Sequence, residues 1–281
     1  MSILSEKIEG RILNIAHRGT RSLAPENTMA AARKALETGA DMWELDVGMT
    51  ADGELIVIHD NTLDRTSNVK EVFPYRSPWR VQDFTLDEMR RLDFGSWFNK
   101  SDPFGQIKSG IVTRDDMRSY AAEPAPLLDE ALRFTLDNDW LVNIEIKDLS
   151  STPGHKTVVQ KVIGLVESLG MASRVIVSSF NHDYLQLARI LNPQLAIGAL
   201  VSRNHADPVA LLQKLQAFAY NPRVTAIELK DIRHLRDRGF HVLVWVANDE
   251  PTMRALIRSR VSGIFTDFPQ LLKAVLSTES E

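Results

Sequence analysis

Short apolar runs alternate with stretches whose apolar positions recur at helical spacing along nearly the whole chain. Expected strands begin at residues 11, 42, 141, 174, 195, 224, 241 and 263. The first, RILNIA, runs into His17-Arg18-Gly19 and is followed by the helical pattern MAAARKALETGA, with Gly39 placed as its C-cap. Further helical patterns over 128–137, 155–169, 182–191, 207–218, 231–238, 251–260 and 271–276 separate the later strands. Eight strand–helix units argue for a parallel sheet closed into an α/β (β/α)8 TIM barrel rather than an open doubly wound sheet. A barrel of this kind accommodates all 281 residues as a single domain, 1–281.

The alternation is interrupted by a hairpin and by a long excursion. In Trp43 to Asp60, WELDVGMTADGELIVIHD, the dipeptide Asp52-Gly53 signals a two-residue type I′ turn. That turn sets Asp46 opposite His59, with Glu44 on the same face. Trp43, Leu45, Val47 and Met49 then share the other face with Ile56 and Ile58. From Asn61 to Ala125 the regular pattern stops, yet the stretch holds Phe73, Tyr75, Trp79, Phe84, Phe94, Trp97, Phe98 and Phe104. So many aromatic side chains are costly to leave in water, so we expect a packed insertion on the top face of the barrel.

Composition narrows the possibilities without choosing among them. A net charge of -4 and a pI near 6.0 leave no basic footprint, so no nucleic-acid partner is expected. With no cysteine, thiolate ligands and cysteine nucleophiles are excluded. No transmembrane run and no signal-peptide core is visible, which points to the cytoplasm. Neither GxGxxG nor GxxxxGK[ST] follows a strand, which removes the main phosphate-loop alternatives.

In such barrels chemistry collects where strands end. Strand one ends at His17 and Arg18, and strand two carries Glu44 and Asp46 with His59 returned beside them. The strand LVNIEIK turns Asn143, Glu145 and Lys147 toward the barrel mouth. Glu44, Asp46 and Glu145 are the oxygen set that a hard divalent cation such as Mg2+ or Ca2+ prefers. An ion-pair network of these carboxylates with Lys147 and Arg18 is the metal-free alternative. Zinc is disfavoured, because neither His17 nor His59 lies in an HxH or HExxH spacing. Two histidines beside such a cluster suit one general base and one general acid, while Arg18 and Lys147 call for an anionic substrate, most naturally a phosphate ester. Trp245 and Phe180 are either ordinary core or a wall for the alkyl or glycerol portion of that substrate.

The motifs HRG with PENT, ELDV, TADGELIVIHDNTLDRT, TLDEMRRLDFGSWF, IEIK, SSF, VWVAN and GIFTDFP together resemble the glycerophosphodiester phosphodiesterase family, a group of phospholipase-C-like phosphodiesterase barrels. The resemblance implies His17 and His59 as the acid/base pair, Arg18 on the phosphate, Glu44, Asp46 and Glu145 as metal ligands, and Lys147 as a further site residue. It also implies a small insertion after the histidine of the hairpin. The expected reaction is metal-dependent hydrolysis of a small-molecule glycerophosphodiester to sn-glycerol 3-phosphate and an alcohol. Whether water or the glycerol 2-hydroxyl attacks first is left open. The segment before Pro126 is longer than usual for the family, and VWVAN stands where WTVN is more typical. Rival readings are a lysophospholipase D, with the aromatic insertion facing lipid, and a non-catalytic phosphate-ester binding barrel.

Overall fold

The computed structural model describes residues 3–279. Its strands are β1 (Leu13–Ala16), β2 (Met42–Met49), β3 (Leu55–Val57), β4 (Leu141–Ile146), β5 (Val175–Ser179), β6 (Ala196–Val201), β7 (Ala219–Pro222), β8 (His241–Val244) and β9 (Gly263–Thr266). β3 is the hairpin return. The other eight are parallel, and β1 pairs with both β2 and β9, which closes the expected barrel.

Strand periodicity sorts the side chains into two layers. Trp43, Leu45 and Val47 point outward into the main core between strands and helices, where Trp43 stacks on Trp140 and donates its indole N–H to Thr135. Leu13, Ile15, Met42, Leu141, Ile176, Leu243 and Phe265 fill the lower interior, and Leu4 and Ile8 of the helix Ile3–Ile8 pack beneath them. Above this apolar floor the inward positions turn polar. Glu44 and Asp46 stand there on β2, Asn143 and Glu145 on β4, and Ser178 on β5. Helix Met29–Glu37 ends as expected, with Gly39 at φ +76°.

The hairpin differs from its expectation by one residue. Val47, Gly48 and Met49 pair with Val57, Ile56 and Leu55. Gly53 N–H bonds to the Thr50 carbonyl, Thr50 N–H bonds to the Glu54 carbonyl, and Gly53 has φ +84°. The loop is therefore three residues, a turn followed by a left-handed glycine, rather than a two-residue turn. The shift exchanges the faces of the return strand. Leu55 and Val57 join the main core, whereas Ile56 and Ile58 pack under the insertion. Asp46 consequently lies level with Ile58, whose N–H it accepts through its carbonyl, and His59 sits one residue beyond.

A second correction concerns the strand expected from residue 224. Gln216, at φ +50°, ends the helix Pro208–Leu215 before the expected residue 218, and Ala219–Pro222 pairs with both neighbouring strands. Val224–Ala226 is a single 3-10 turn, and Glu228 caps the helix Leu229–Asp237 that follows. The β-branched residues at 224 and 225 were the misleading signal, while Asn221-Pro222 reads as a turn. Proline is tolerated at a strand terminus, where no ladder N–H is required.

The excursion is packed. Ile56, Ile58, Val69, Val81, Phe84, Met89 and Phe94 form one cluster, and Leu23, Phe98, Val112 and Tyr120 form another. Most of its rings are turned inward, and Tyr75 is the one left fully in solvent, at 98% exposure. Phe73, Trp79, Trp97 and Phe104 are partly exposed, so of the aromatic surface that the lysophospholipase D reading requires, Tyr75 alone stands fully in solvent. No helix among the described residues is long and apolar enough to cross a membrane.

His241 is half-buried at the start of β8, stacked on Phe218 and close to Arg236. Burial first, and then the Arg236 charge, lower its pKa from 6.5 to about 4. The unfolded chain therefore binds the proton first, and this residue makes stability fall as pH drops from 6.5 toward 4. Urea unfolding at pH 7 and pH 4.5 should show a smaller acid loss in His241→Gln, by about 1–2 kcal/mol after discounting for partial exposure.

Candidate active site

The backbone around His17 carries the first part of the site. Arg18 and Gly19 follow β1 with φ of +52° and +78°. Gly19 is also needed for space, because a Cβ there would lie 2.7 Å from the Ala31 carbonyl carbon. The left-handed turn aims the Arg18 backbone N–H at Glu44 Oε2, 2.7 Å away. The Arg18 side chain bonds to Glu26 at 2.8 Å and lies 3.3 Å from Asp46. Asn27 donates to Asp46 Oδ2 at 2.8 Å, and its own oxygen accepts the Asp46 N–H.

Glu44, Asp46 and Glu145 each offer an oxygen within 4.8 Å of the other two. Lys147 reaches Glu145 at 2.6 Å and Asp46 at 3.3 Å. Burial first, then repulsion from its neighbours, pushes the Glu44 carboxyl well above its usual range, and Glu145 is raised in the same way. Asp46 goes the other way: burial opposes ionisation, but Lys147 and Arg18 hold it below the usual range. Glu44 Oε1 is buried without any hydrogen-bond partner. An orphaned acceptor among crowded carboxylates, with raised pKa values beside it, fits a divalent cation better than a closed ion-pair network does.

Each histidine is gripped by its own aspartate. His17 Nδ1 lies 2.7 Å from Asp267, and His59 Nδ1 lies 2.6 Å from Asp60. Against the opposing effect of burial, the His17 hydrogen bond helps hold Asp267 down to about 2, so it is ionised and must accept. His17 therefore carries its proton on Nδ1 and leaves Nε2 free. Burial, and after it the Arg18 charge, lower the His17 pKa and keep that tautomer neutral. Asn248 Nδ2 at 2.7 Å and Arg21 at 3.5 Å secure the other Asp267 oxygen.

The two pairs are connected. Glu26, only 4% exposed, bonds to Arg18, to Arg21 at 2.7 Å and to Arg65 at 2.6 Å. Arg21 then faces Asp267, and Arg65 bonds to Asp60 at 2.5 Å. One buried carboxylate thus links both aspartate–histidine pairs through two arginines.

His17, Arg18, Glu44, His59, Glu145, Lys147, Phe180 and Trp245 all line one cavity of about 170 Å³, and Asp46 adjoins it through Arg18 and Lys147. Phe180 and Trp245 meet edge to face with centroids 5.5 Å apart and form one wall. Every residue expected from the sequence is gathered here. Asp267, Asp60, Glu26 and Asn27 were given no role from the sequence, although they lie within the quoted TDF, HDN and PENT segments.

A closed barrel whose mouth combines paired imidazoles, two cations and a carboxylate trio defines an enzyme of the phosphoric-ester class. Residues 17–271 match the model of the glycerophosphoryl diester phosphodiesterase family, and the chain belongs to that family. A glycerophosphodiester phosphodiesterase of Caldanaerobacter subterraneus subsp. tengcongensis is 36% identical over 93% of this chain and 96% of its own. Among solved structures, an Oleispira antarctica phosphodiesterase in complex with the product sn-glycerol-3-phosphate is 25% identical, with a TM-score of 0.76 over 94% of this chain and 96% of that one. A glycerophosphodiester phosphodiesterase from Agrobacterium tumefaciens is 28% identical, with a TM-score of 0.72 over 92% and 98%.

Proposed function

We propose that the chain hydrolyses glycerophosphodiesters to sn-glycerol 3-phosphate and a free alcohol, with the barrel and the 61–125 excursion acting as one domain. The observation that carries this reading is the pair of aspartate-held histidines opening on one cavity beside a carboxylate trio with an unpartnered oxygen. Family membership and the likeness to a product-bound phosphodiesterase support the substrate class.

Glu44, Asp46 and Glu145 would hold one divalent cation, Mg2+ or Ca2+. Bound there, it supplies positive charge against the phosphoryl oxygens. Arg18 and Lys147 add fixed charge on the same substrate group. His17, neutral with a free Nε2, takes the proton of the attacking hydroxyl, whether of water or of the glycerol 2-position. His59 gives a proton to the departing alkoxide. Phe180 and Trp245 cover the glycerol carbons and exclude water from that side.

Stripping divalent ions with EDTA should lower release of sn-glycerol 3-phosphate from glycerophosphocholine and glycerophosphoglycerol by about two orders of magnitude. Adding back Mg2+ or Ca2+ should restore it. An undiminished rate in EDTA would contradict the metal's role.

A further inference from the structure

A second cavity of 320 Å³ opens beside the barrel mouth, between the hairpin, the insertion and the loop after β4. His59 and Lys147 line both cavities, so the two meet at these side chains. Its volume lies in the range of ligand sites, about 300–1,000 Å³. If the proposed function holds, as this inference requires, a diester has two arms. One arm, the glycerol, suits the smaller mouth beside Phe180 and Trp245. The other has to pass His59.

The chemistry of this cavity is selective. Met49 and Ile58 form an apolar base. Around it stand Asn61, Arg80, Gln82 and Ser151. Among the described residues, the side chains of Asn61, Arg80 and Ser151 have no hydrogen-bond or ion-pair partner, and Gln82 Oε1 is buried and unpaired. These groups offer donors and acceptors that a ligand's hydroxyls can satisfy. No Phe, Tyr or Trp lines the cavity to cover a quaternary ammonium. Asp60, the only carboxylate there among the described residues, is already engaged by His59 and Arg65. Lys147 is likewise held by Glu145 and Asp46, so the unpaired charge facing this cavity is the Arg80 guanidinium.

We infer that this cavity is the subsite for the leaving alcohol and that it takes a polyhydroxylated alcohol, neutral or negatively charged, in preference to a quaternary ammonium alcohol, with Arg80 as a specificity-determining residue. Water adds across the P–O bond to that alcohol, whose oxygen leaves with a proton from His59. The position of His59 at the junction of the two cavities matches that role.

The test compares kcat/KM for glycerophosphoglycerol, glycerophosphoinositol, glycerophosphocholine and the methyl ester of sn-glycerol 3-phosphate, in wild type, Arg80→Ala and Ser151→Trp. Wild type should favour the two polyol diesters over the choline diester by about tenfold or more. Arg80→Ala should collapse that ratio to within about threefold. Ser151→Trp, which fills the cavity, should depress the polyol diesters about tenfold more than the methyl ester. A wild-type preference for choline, or variants that change all four substrates in proportion, would overturn the subsite while leaving the phosphodiesterase reading intact. Failure of wild type to cleave any of the four would instead remove the proposed function, and this inference with it.

Discussion

Asp267→Asn should lower kcat by about 10³-fold and leave KM within a few-fold of wild type. The reason lies in the partners of the carboxylate. Asn248 and Arg21 both donate to one Asp267 oxygen, so an amide at this position keeps its oxygen on that side and turns its NH2 toward His17 Nδ1. His17 Nδ1 then has to accept, the ring proton moves to Nε2, and the proposed base is lost in the neutral state. Substrate binding relies on other groups, so the loss should fall on kcat. Steady-state kinetics decides the matter, and a KM effect with normal kcat would mean that His17 only binds.

The second large effect is Glu26→Gln, which should destabilise the fold by about 3–5 kcal/mol. Its carboxylate neutralises Arg18, Arg21 and Arg65 while buried, and an uncharged replacement leaves Arg18 in particular without its nearest bonded counter-charge. For a chain of this size the melting temperature should fall by roughly 10 °C. The pH dependence follows from the sign of the shift. Burial opposes ionisation, yet the arginines lower the Glu26 pKa well below 4.5, so its contribution is present above 4.5 and is lost as pH falls through the folded value. Glu26→Gln should therefore lose most stability at neutral pH and converge on wild type in acid. Calorimetric scans from pH 7 to pH 3 would show it, and a constant offset across that range would contradict it. Because Glu26 links both aspartate–histidine pairs, kcat should fall as well.

The barrel and the residues gathered at its mouth were legible because strand ends of alternating polar residues are local patterns. Glu44, Asp46, Glu145 and Lys147 needed only period two and adjacency to be brought together. The hairpin register was misread because Asp52-Gly53 fits two loop lengths, and only the Thr50 to Glu54 pairing distinguishes them. β7 was misplaced because its pairing comes from two neighbours rather than from its own composition.

The groups that orient the histidines were hidden for a related reason. Asp267 meets His17 across 250 residues, only because β9 closes on β1. Glu26 meets Arg65, which lies at the start of the insertion, at a separation of 39 residues. Asp60, adjacent to His59, was the one such partner within local reach, and nothing in its composition distinguished it from a turn residue.

The central claim is that glycerophosphodiester hydrolysis takes place at the barrel mouth through His17 and His59. Its most direct test is the initial rate of sn-glycerol 3-phosphate release from glycerophosphoglycerol by metal-loaded wild type, His17→Ala, His59→Ala and the double variant. Wild type should turn over, each single variant should lose about 10²–10⁴-fold, and the double variant should lose little more than the worse single one. Full activity in either single variant, or no release by wild type, would contradict the account.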